Sequence, residues 1–179
     1  MKYIFVDLDE TLFHARFLSG NRRKAERMTR NDEKLIELDT EFYGSCLRPG
    51  ALDFLAKLRA IPNSRVLVLT SSVTDYANAN NVTHGLGFMP DQIFARDRLQ
   101  ARDTSGVDVA NPKTAEMVMI DNLPRQENRI KVWWLNDLTQ NPVRYVKVPE
   151  FMHPSLDRHF DEALIAETVS RVINADPTT

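Results

Sequence analysis

Residues 5–14 read FVDLDETLFH, and this stretch decides the fold. The apolar run 3–6 ends in Asp7-Leu8-Asp9, with Glu10 and Thr11 directly behind. A strand that ends in paired carboxylates puts charge at the carboxyl edge of a sheet, which is where α/β sheets bind ligands. Similar short apolar runs recur at residues 65–69 (RVLVL), 92–95 (QIFA), 117–120 (MVMI), 130–135 (IKVWWL) and 143–148 (VRYVKV). Such runs, bounded by polar residues, predict strands buried on both faces.

Helical spacing lies between them. Pro49-Gly50 precedes ALDFLAKLRA, in which Leu52, Leu55 and Leu58 recur every three residues beside Phe54. Residues 73–84 predict a helix that stops near Gly85 and Gly87, and residues 156–173 predict a closing helix. Strands alternating with helices define an α/β domain, a mainly parallel sheet flanked by helices. Two stretches stand outside the alternation. Residues 13–47 form a small insertion after the first strand, and residues 96–114 read as loop with a hairpin. At 179 residues the chain has the size of one domain, 1–179.

Composition narrows the classes. The hydrophobic fraction of 42% and charged fraction of 27% are those of a soluble globular protein. Cys46 is the one cysteine, so no intrachain disulfide can form, and a reducing, cytoplasmic setting is expected. The start, MKYIFVDLDE, turns acidic too soon for a signal peptide. No window of 18 apolar residues offers a membrane span. A net charge of −2 selects no partner, and nothing in the sequence sets an oligomeric state.

Three polar features fall at strand ends: Asp7 and Asp9, Thr70 and Ser71, and Asp121 and Asn122. Each alone is a common turn or helix cap. Together they deliver carboxylates and hydroxyls from three segments to one edge of the sheet. Carboxylates that close repel one another, and a bound cation resolves the repulsion. An incomplete set of hard oxygen ligands favours Mg2+, with water and phosphate filling the remaining positions.

The stretch Asp7-Leu8-Asp9-Glu10-Thr11-Leu12 resembles the nucleophile motif of the haloacid dehalogenase superfamily of phosphotransferases. Residues 67–70 (LVLT) resemble its second motif and residues 118–122 (VMIDN) its acidic fourth motif. Arg48-Pro49-Gly50 and Asp121-Asn122 are similar to the small C-terminal-domain-type phosphatases, which dephosphorylate protein tails. The resemblance spans roughly residues 3–135 and implies a Rossmann-like fold. It implies Asp7 as nucleophile, Asp9 as general acid and then base, and Thr70 as a phosphoryl ligand. It implies Mg2+ held by the Asp7 carboxylate, the Asp9 carbonyl and Asp121, with Asn122 nearby. Thr11, Ser71 and Arg48 are the substrate contacts expected with it. The third motif, a cation beside the nucleophile, departs from the pattern. Lys113 is the expected residue, with Arg96, Arg98 and Arg102 as its substitutes.

The insertion carries Arg16, Arg22, Arg23, Lys24, Arg27 and Arg30 with Glu26 as the one acid among them. A basic arm beside a phosphatase site predicts a polyanionic or macromolecular substrate: a nucleotide, a nucleic-acid end or a phosphoprotein. Arg23 is the representative contact. The rival expectation is a catalytically idle, receiver-like module that binds Mg2+ and phosphate without turnover. Trp133-Trp134 is expected to pack in the core or on a sheet face, and Cys46 to act as a small apolar filler.

Overall fold

Five strands, β1 (Lys2–Val6), β5 (Ser64–Leu69), β6 (Ile93–Phe94), β7 (Glu116–Asp121) and β8 (Arg144–Lys147), form a sheet of order β6-β5-β1-β7-β8. Every pairing within it is parallel. The computed structural model describes residues 1–105, 107, 115–139, 141–152 and 159–174. β1 lies at the centre, and successive side chains along it alternate between two cores. Ile4 and Val6 join Val68, Val118 and Ile120 on one face. Tyr3 and Phe5 join Leu67, Leu69, Met117 and Met119 on the other. This period of two explains why the strand runs read as unbroken apolar segments, since neither face meets water.

Helices cover both faces. α2 (Ala51–Arg59), α3 (Thr74–His84) and α6 (Glu162–Asn174) supply Phe54, Leu55, Leu58, Ala77, Ile165 and Val172 to the first core. α4 (Arg96–Gln100) and α5 (Arg129–Leu138) supply Leu99, Trp134, Leu135 and Leu138 to the second. α3 stops where expected, with Gly85 in the left-handed region. The chain therefore has the α/β architecture that its pattern predicts.

Three readings are corrected. Residues 130–135 are helix, not strand: α5 buries Lys131, Trp134, Leu135 and Leu138, an i, i+3, i+4, i+7 stripe, and exposes Ile130 and Trp133. Of the two tryptophans only Trp134 is core. Within 96–114, residues 96–100 are the short helix α4, and 106 and 108–114 lie outside the described residues. The closing helix begins at Glu162, and residues 153–158, in part within its expected span, also lie outside the described residues.

The insertion is a small antiparallel sheet. β2 (Phe13–Ser19), β3 (Lys34–Leu38) and β4 (Glu41–Leu47) take the order β2-β4-β3, and α1 (Arg22–Met28) packs on them through Ala25, Leu18 and Phe42. A buried polar joint fastens this sheet to α3. Ser45 Oγ donates to Asn80 Oδ1 at 2.7 Å and meets His84 Nε2 at 2.7 Å. Because the hydroxyl proton goes to Asn80, the imidazole donates from Nε2. His84 Nδ1 is buried without a partner among the described residues, and the ring stacks on Phe13. Cys46 is buried nearby as a filler, its thiol pushed up to about 11 by burial.

The Arg48-Pro49-Gly50 turn anchors the closing segment. Phe160 N donates to the Pro49 carbonyl at 2.9 Å, and the Phe160 ring stacks on Phe54 at 4.2 Å. Gly50 has φ +80°, and a Cβ there would lie 2.0 Å from the Phe160 carbonyl oxygen. Gly85 has φ +64°, and a Cβ there would meet nothing within 4 Å. Gly50→Ala therefore combines backbone strain with a clash against main chain. It is expected to destabilise by more than about 3 kcal/mol in urea unfolding, whereas Gly85→Ala costs about 1 kcal/mol from strain alone.

Burial, aided by Lys34, lowers the His84 imidazole from 6.5 to about 4. The unfolded chain thus binds the extra proton first. Stability from this group is complete above pH 6.5 and is lost as pH falls from 6.5 toward 4, by an amount on the order of 2 kcal/mol. Asp7, described below, titrates in the opposite sense but is common to both proteins in a comparison with His84→Gln. The measurement is unfolding free energy against pH for the two. The expected outcome is a shallower acid-side loss in the variant; parallel curves would remove the buried imidazole as the cause.

Candidate active site

The register of the sheet assembles the site. Val6 pairs with Val68 on one side and with Ile120 on the other, so the residues just beyond, Asp7 and Asp121, emerge side by side. Asp7 N donates to the Ile120 carbonyl at 2.9 Å, continuing the ladder to the strand end. The chain then turns back: the amides of Thr11, Leu12 and Phe13 all point to the Leu8 carbonyl, and Glu10 adopts a left-handed φ of 56°. This turn returns the chain into β2 and leaves Asp9 half-buried at the mouth.

Lys131 projects from the first turn of α5 between the two carboxylates. Its Nζ lies 2.8 Å from Asp7 Oδ1 and 2.6 Å from Asp121 Oδ2. All three are buried: Asp7 is 4% exposed, Asp121 0% and Lys131 3%. Burial pushes the Asp7 carboxyl up to about 7; Lys131 pulls it down, and Asp121 and Asp9 push it further up. Burial also works against the Lys131 ammonium, but Asp7 and Asp121 outweigh it and hold its pKa above the ordinary lysine value. One ammonium between two buried carboxylates leaves negative charge uncompensated, which is costly in a poorly solvated site.

The neighbours are polar and fixed. Leu123 N donates to Asp121 Oδ1 at 2.8 Å. With its amide nitrogen facing inward, Asn122 donates to Asp121 Oδ1 (3.2 Å), Thr11 Oγ1 (3.1 Å) and the Asp9 carbonyl (3.3 Å). Thr70, buried at the end of β5, accepts from Ser72 N at 3.1 Å through its hydroxyl. Asp9 is gripped at both oxygens: Ser72 Oγ donates to Oδ2 at 2.7 Å and Tyr76 Oη donates to Oδ1 at 2.7 Å. A pocket of about 260 Å3 opens over the group. It is lined by Asp7, Asp9, Glu10, Ser71, Asn122, Leu123, Lys131, Glu150 and Met152.

The structure thus brings together Asp7, Asp9, Asp121, Asn122 and Lys131, with Ser71 on the rim and Thr70 at the neighbouring strand end. It separates others from the pocket. Arg48, expected as a substrate contact, is fully buried beneath the site: Nη1 donates to the carbonyls of Thr11 (3.1 Å) and Pro149 (2.8 Å), and the guanidinium lies over the Phe160 ring at 4.0 Å. Thr11 is likewise fully buried and engages Asn122. Arg23 sits exposed on α1 and does not line the pocket; neither do Arg22, Lys24 or Arg27. Arg22 is engaged by Glu26 and Glu37. Arg96 bonds the Ser71 carbonyl, Arg98 pairs with Asp103, and Arg102 lies over the Trp133 ring. Lys113 lies outside the described residues.

Lys131 is the residue that sequence reasoning missed. Its signal was present: read at helical spacing, Lys131 falls on the same stripe as Trp134, Leu135 and Leu138, and a lysine on an apolar stripe must meet a counter-charge.

The donor set fits a hard divalent cation. Among the described residues no group of three His, Cys, Asp or Glu side chains converges on one point. An ion here would draw on the Asp7 and Asp121 carboxylates and the Asp9 carbonyl, with water or phosphate completing its shell and Asn122 beside it as a hydrogen-bond donor to the Asp121 and Asp9 oxygens. The uncompensated charge at Asp7 and Asp121 is the observation that favours one.

A search of curated proteins returns no match. Among solved structures, Fcp1, an essential RNA polymerase II CTD phosphatase, shares the fold at a TM-score of 0.51 and 19% identity, covering 95% of this chain and 47% of that one. Fission yeast RNA polymerase II CTD phosphatase Fcp1 in a variant bound to beryllium fluoride gives a TM-score of 0.48 at 17% identity, with 95% and 49% covered. The chain thus spans about half the length of these structures. The family model for NLI interacting factor-like phosphatase matches residues 2–169. Nearly the whole described chain, including both strand-end carboxylates and the lysine between them, falls within that match, and the protein belongs to the NLI interacting factor-like phosphatases, a haloacid dehalogenase-type family.

Proposed function

We propose that this phosphatase hydrolyses phosphomonoesters on a protein substrate through an aspartyl-phosphate on Asp7, with Mg2+ as cofactor. The observation that carries the reading is the Asp7–Lys131–Asp121 arrangement with Asp9 beside it. Asp7 is the nucleophile: its oxygen bonds to phosphorus as the bond from phosphorus to the leaving oxygen breaks. Asp9 gives its proton to that leaving oxygen. In the second step Asp9 takes a proton from water as the water oxygen attacks phosphorus, and Asp7 is released. Lys131 holds Asp7 in place and offsets charge at the attacking carboxylate. Thr70 and Ser71 offer hydroxyls at the adjacent strand end for the phosphoryl oxygens. When bound, Mg2+ would reduce the repulsion between the anionic nucleophile and the anionic phosphate.

The protein substrate is favoured by what surrounds the site. Ser71, Leu123 and Met152 on the pocket rim are exposed, so a phosphorylated side chain on a large molecule can reach Asp7. Lys131 is the cation among the described lining residues, whereas Glu10 and Glu150 add acid at the mouth. The α1 arginines expected to steer a polyanion do not line the pocket, so nucleotides and nucleic-acid ends are the weaker candidates. A panel of phosphopeptides, nucleotides and 5′- and 3′-phosphorylated oligonucleotides tests this. Phosphopeptides are expected to have the highest kcat/KM, and a preference for oligonucleotides would restore the polyanion reading. An idle receiver-like module would turn over none of them.

Two further outcomes are expected. Asp7→Asn should lower turnover of an aryl phosphate by several orders of magnitude with an unchanged fold by circular dichroism; retention of about a tenth of the activity would exclude the covalent route. Lys131→Met should lower kcat by about 100-fold or more, as loss of a preorganised charge does, while Lys113→Met has a much smaller effect. The reverse ranking would return the third-motif role to the segment before β7. In the same assay, a chelator should abolish activity and Asp121→Ala should raise the Mg2+ concentration needed to restore it.

A further inference from the structure

We propose that Tyr76, assisted by Ser72, is a positioning residue that aims the Asp9 carboxyl at the leaving oxygen, and that the insertion sheet serves this purpose by bracing the Tyr76 ring. The inference deepens the reading above and rests on Asp9 as general acid.

Both hydroxyls reach Asp9 at 2.7 Å, one on each oxygen, Ser72 from the β5–α3 loop and Tyr76 from α3. A carboxyl group has about four lone-pair sites, two per oxygen. With Tyr76 on Oδ1 and Ser72 on Oδ2, each oxygen keeps one direction free, and the plane of the group can no longer rotate about its Cβ–Cγ bond. The proton that Asp9 gives up must therefore leave along a fixed direction. A free carboxyl at the mouth of an open pocket would have no such constraint. Orientation of this kind is what makes a proton donor effective at a particular atom.

The donors are themselves held. Ser72 N donates to Thr70 Oγ1, and the Ser72 carbonyl accepts from Arg96 N at 2.8 Å, which fixes Ser72 relative to β5 and α4. The Tyr76 ring meets Tyr43 of β4 edge-on at 5.7 Å and Phe13 of β2 at 6.3 Å. Tyr43 in turn meets Phe17 edge-on at 5.7 Å. Phe13 from β2 and Tyr43 from β4, the latter backed by Phe17, thus each brace the Tyr76 ring. The Tyr76 hydroxyl is the donor of its pair with Asp9 Oδ1. The main-chain carbonyl of Tyr76 accepts from Asn80, whose side-chain oxygen takes the Ser45 proton in the joint that fastens the insertion to α3. The same joint that docks the small sheet therefore sets the height of Tyr76 over Asp9.

A general acid matters most when the leaving group is a poor one. An alkoxide from phosphoserine needs the proton; a nitrophenolate does not. Tyr76→Phe keeps the ring and removes only the hydroxyl. The assay measures kcat/KM for a phosphoserine peptide and for p-nitrophenyl phosphate, in the wild type, Tyr76→Phe, Ser72→Ala, Asp9→Asn and Asp9→Asn/Tyr76→Phe. The expected result for Tyr76→Phe is a loss of about 10–100-fold on the peptide, within the range of general acid catalysis, and a loss at least tenfold smaller on the aryl ester. Ser72→Ala should show the same selectivity. In the Asp9→Asn background the Tyr76 change should cost less than about twofold more, because two residues acting as a unit are not additive. Equal losses on both substrates, or a full multiplicative loss in the Asp9→Asn background, would overturn the positioning role while leaving Asp9 as the acid. An Asp9→Asn variant that affects both substrates alike would instead overturn Asp9 as general acid, and the inference with it.

Discussion

Two carboxylates buried at the ends of adjacent strands cannot both stay charged without a cation between them. Much of this fold follows from that constraint. β1 and β7 pair in a register that places Asp7 beside Asp121. The resulting charge must be offset from a third direction, since both strands are spent on the ladder. α5 supplies it, lying on the face opposite α2, α3 and α6 and burying Trp134 and Leu135 so that Lys131 reaches the sheet edge. Trp134 in turn meets Phe5 and Phe94, at ring separations of 6.0 and 4.9 Å. The aromatic core and the charge centre are consequently two ends of one helix placement.

A second set of buried polar contacts ties the loops of the site to the body. Arg48 holds carbonyls from the nucleophile loop and from the segment after β8, and its face is covered by Phe160. Phe151 N donates to the Glu10 carbonyl at 2.7 Å from the same segment. A buried guanidinium with carbonyl acceptors and an aromatic lid is a mechanical joint, not a ligand site. The insertion is attached by the Ser45–Asn80–His84 contacts in the same way. Both joints carry charge or polarity into the interior at positions that do not line the pocket.

What is legible in the sequence follows from these differences. β1, β5 and β7 are legible because strands buried on both faces carry an unbroken apolar stretch, and the polar residues at their carboxyl ends stand out by contrast. The pairing of Asp7 with Asp121 follows from the parallel sheet. The strands of the insertion are not legible, because FHARFLS and KLIEL mix charge with apolar residues in a sheet that faces water on one side. The run IKVWWL reads as a strand because so short a segment does not separate a period of two from one of 3.6. With α5 taken for a strand, Lys131 has no place in the site. Arg48 escapes for a different reason: a charge satisfied by main-chain carbonyls and an aromatic face leaves no counter-charge in the sequence to find.

The placement of Lys131 on a helix has a consequence for tolerated changes of length. Residues 123–128 between Asp121 and α5 include the short 3-10 turn Arg125–Glu127, and Val132 N already bonds the Asn128 carbonyl. In a strand or loop, one added residue could be absorbed by a bulge or a wider turn. If an insertion or deletion between Lys131 and Trp134 were absorbed by the helix itself, each residue would turn Lys131 by about 100° around the axis relative to Trp134 and Leu135. The apolar stripe would hold the helix in place and carry the ammonium off the site. Between Lys131 and Trp134 the chain therefore tolerates substitution far better than any change in residue count.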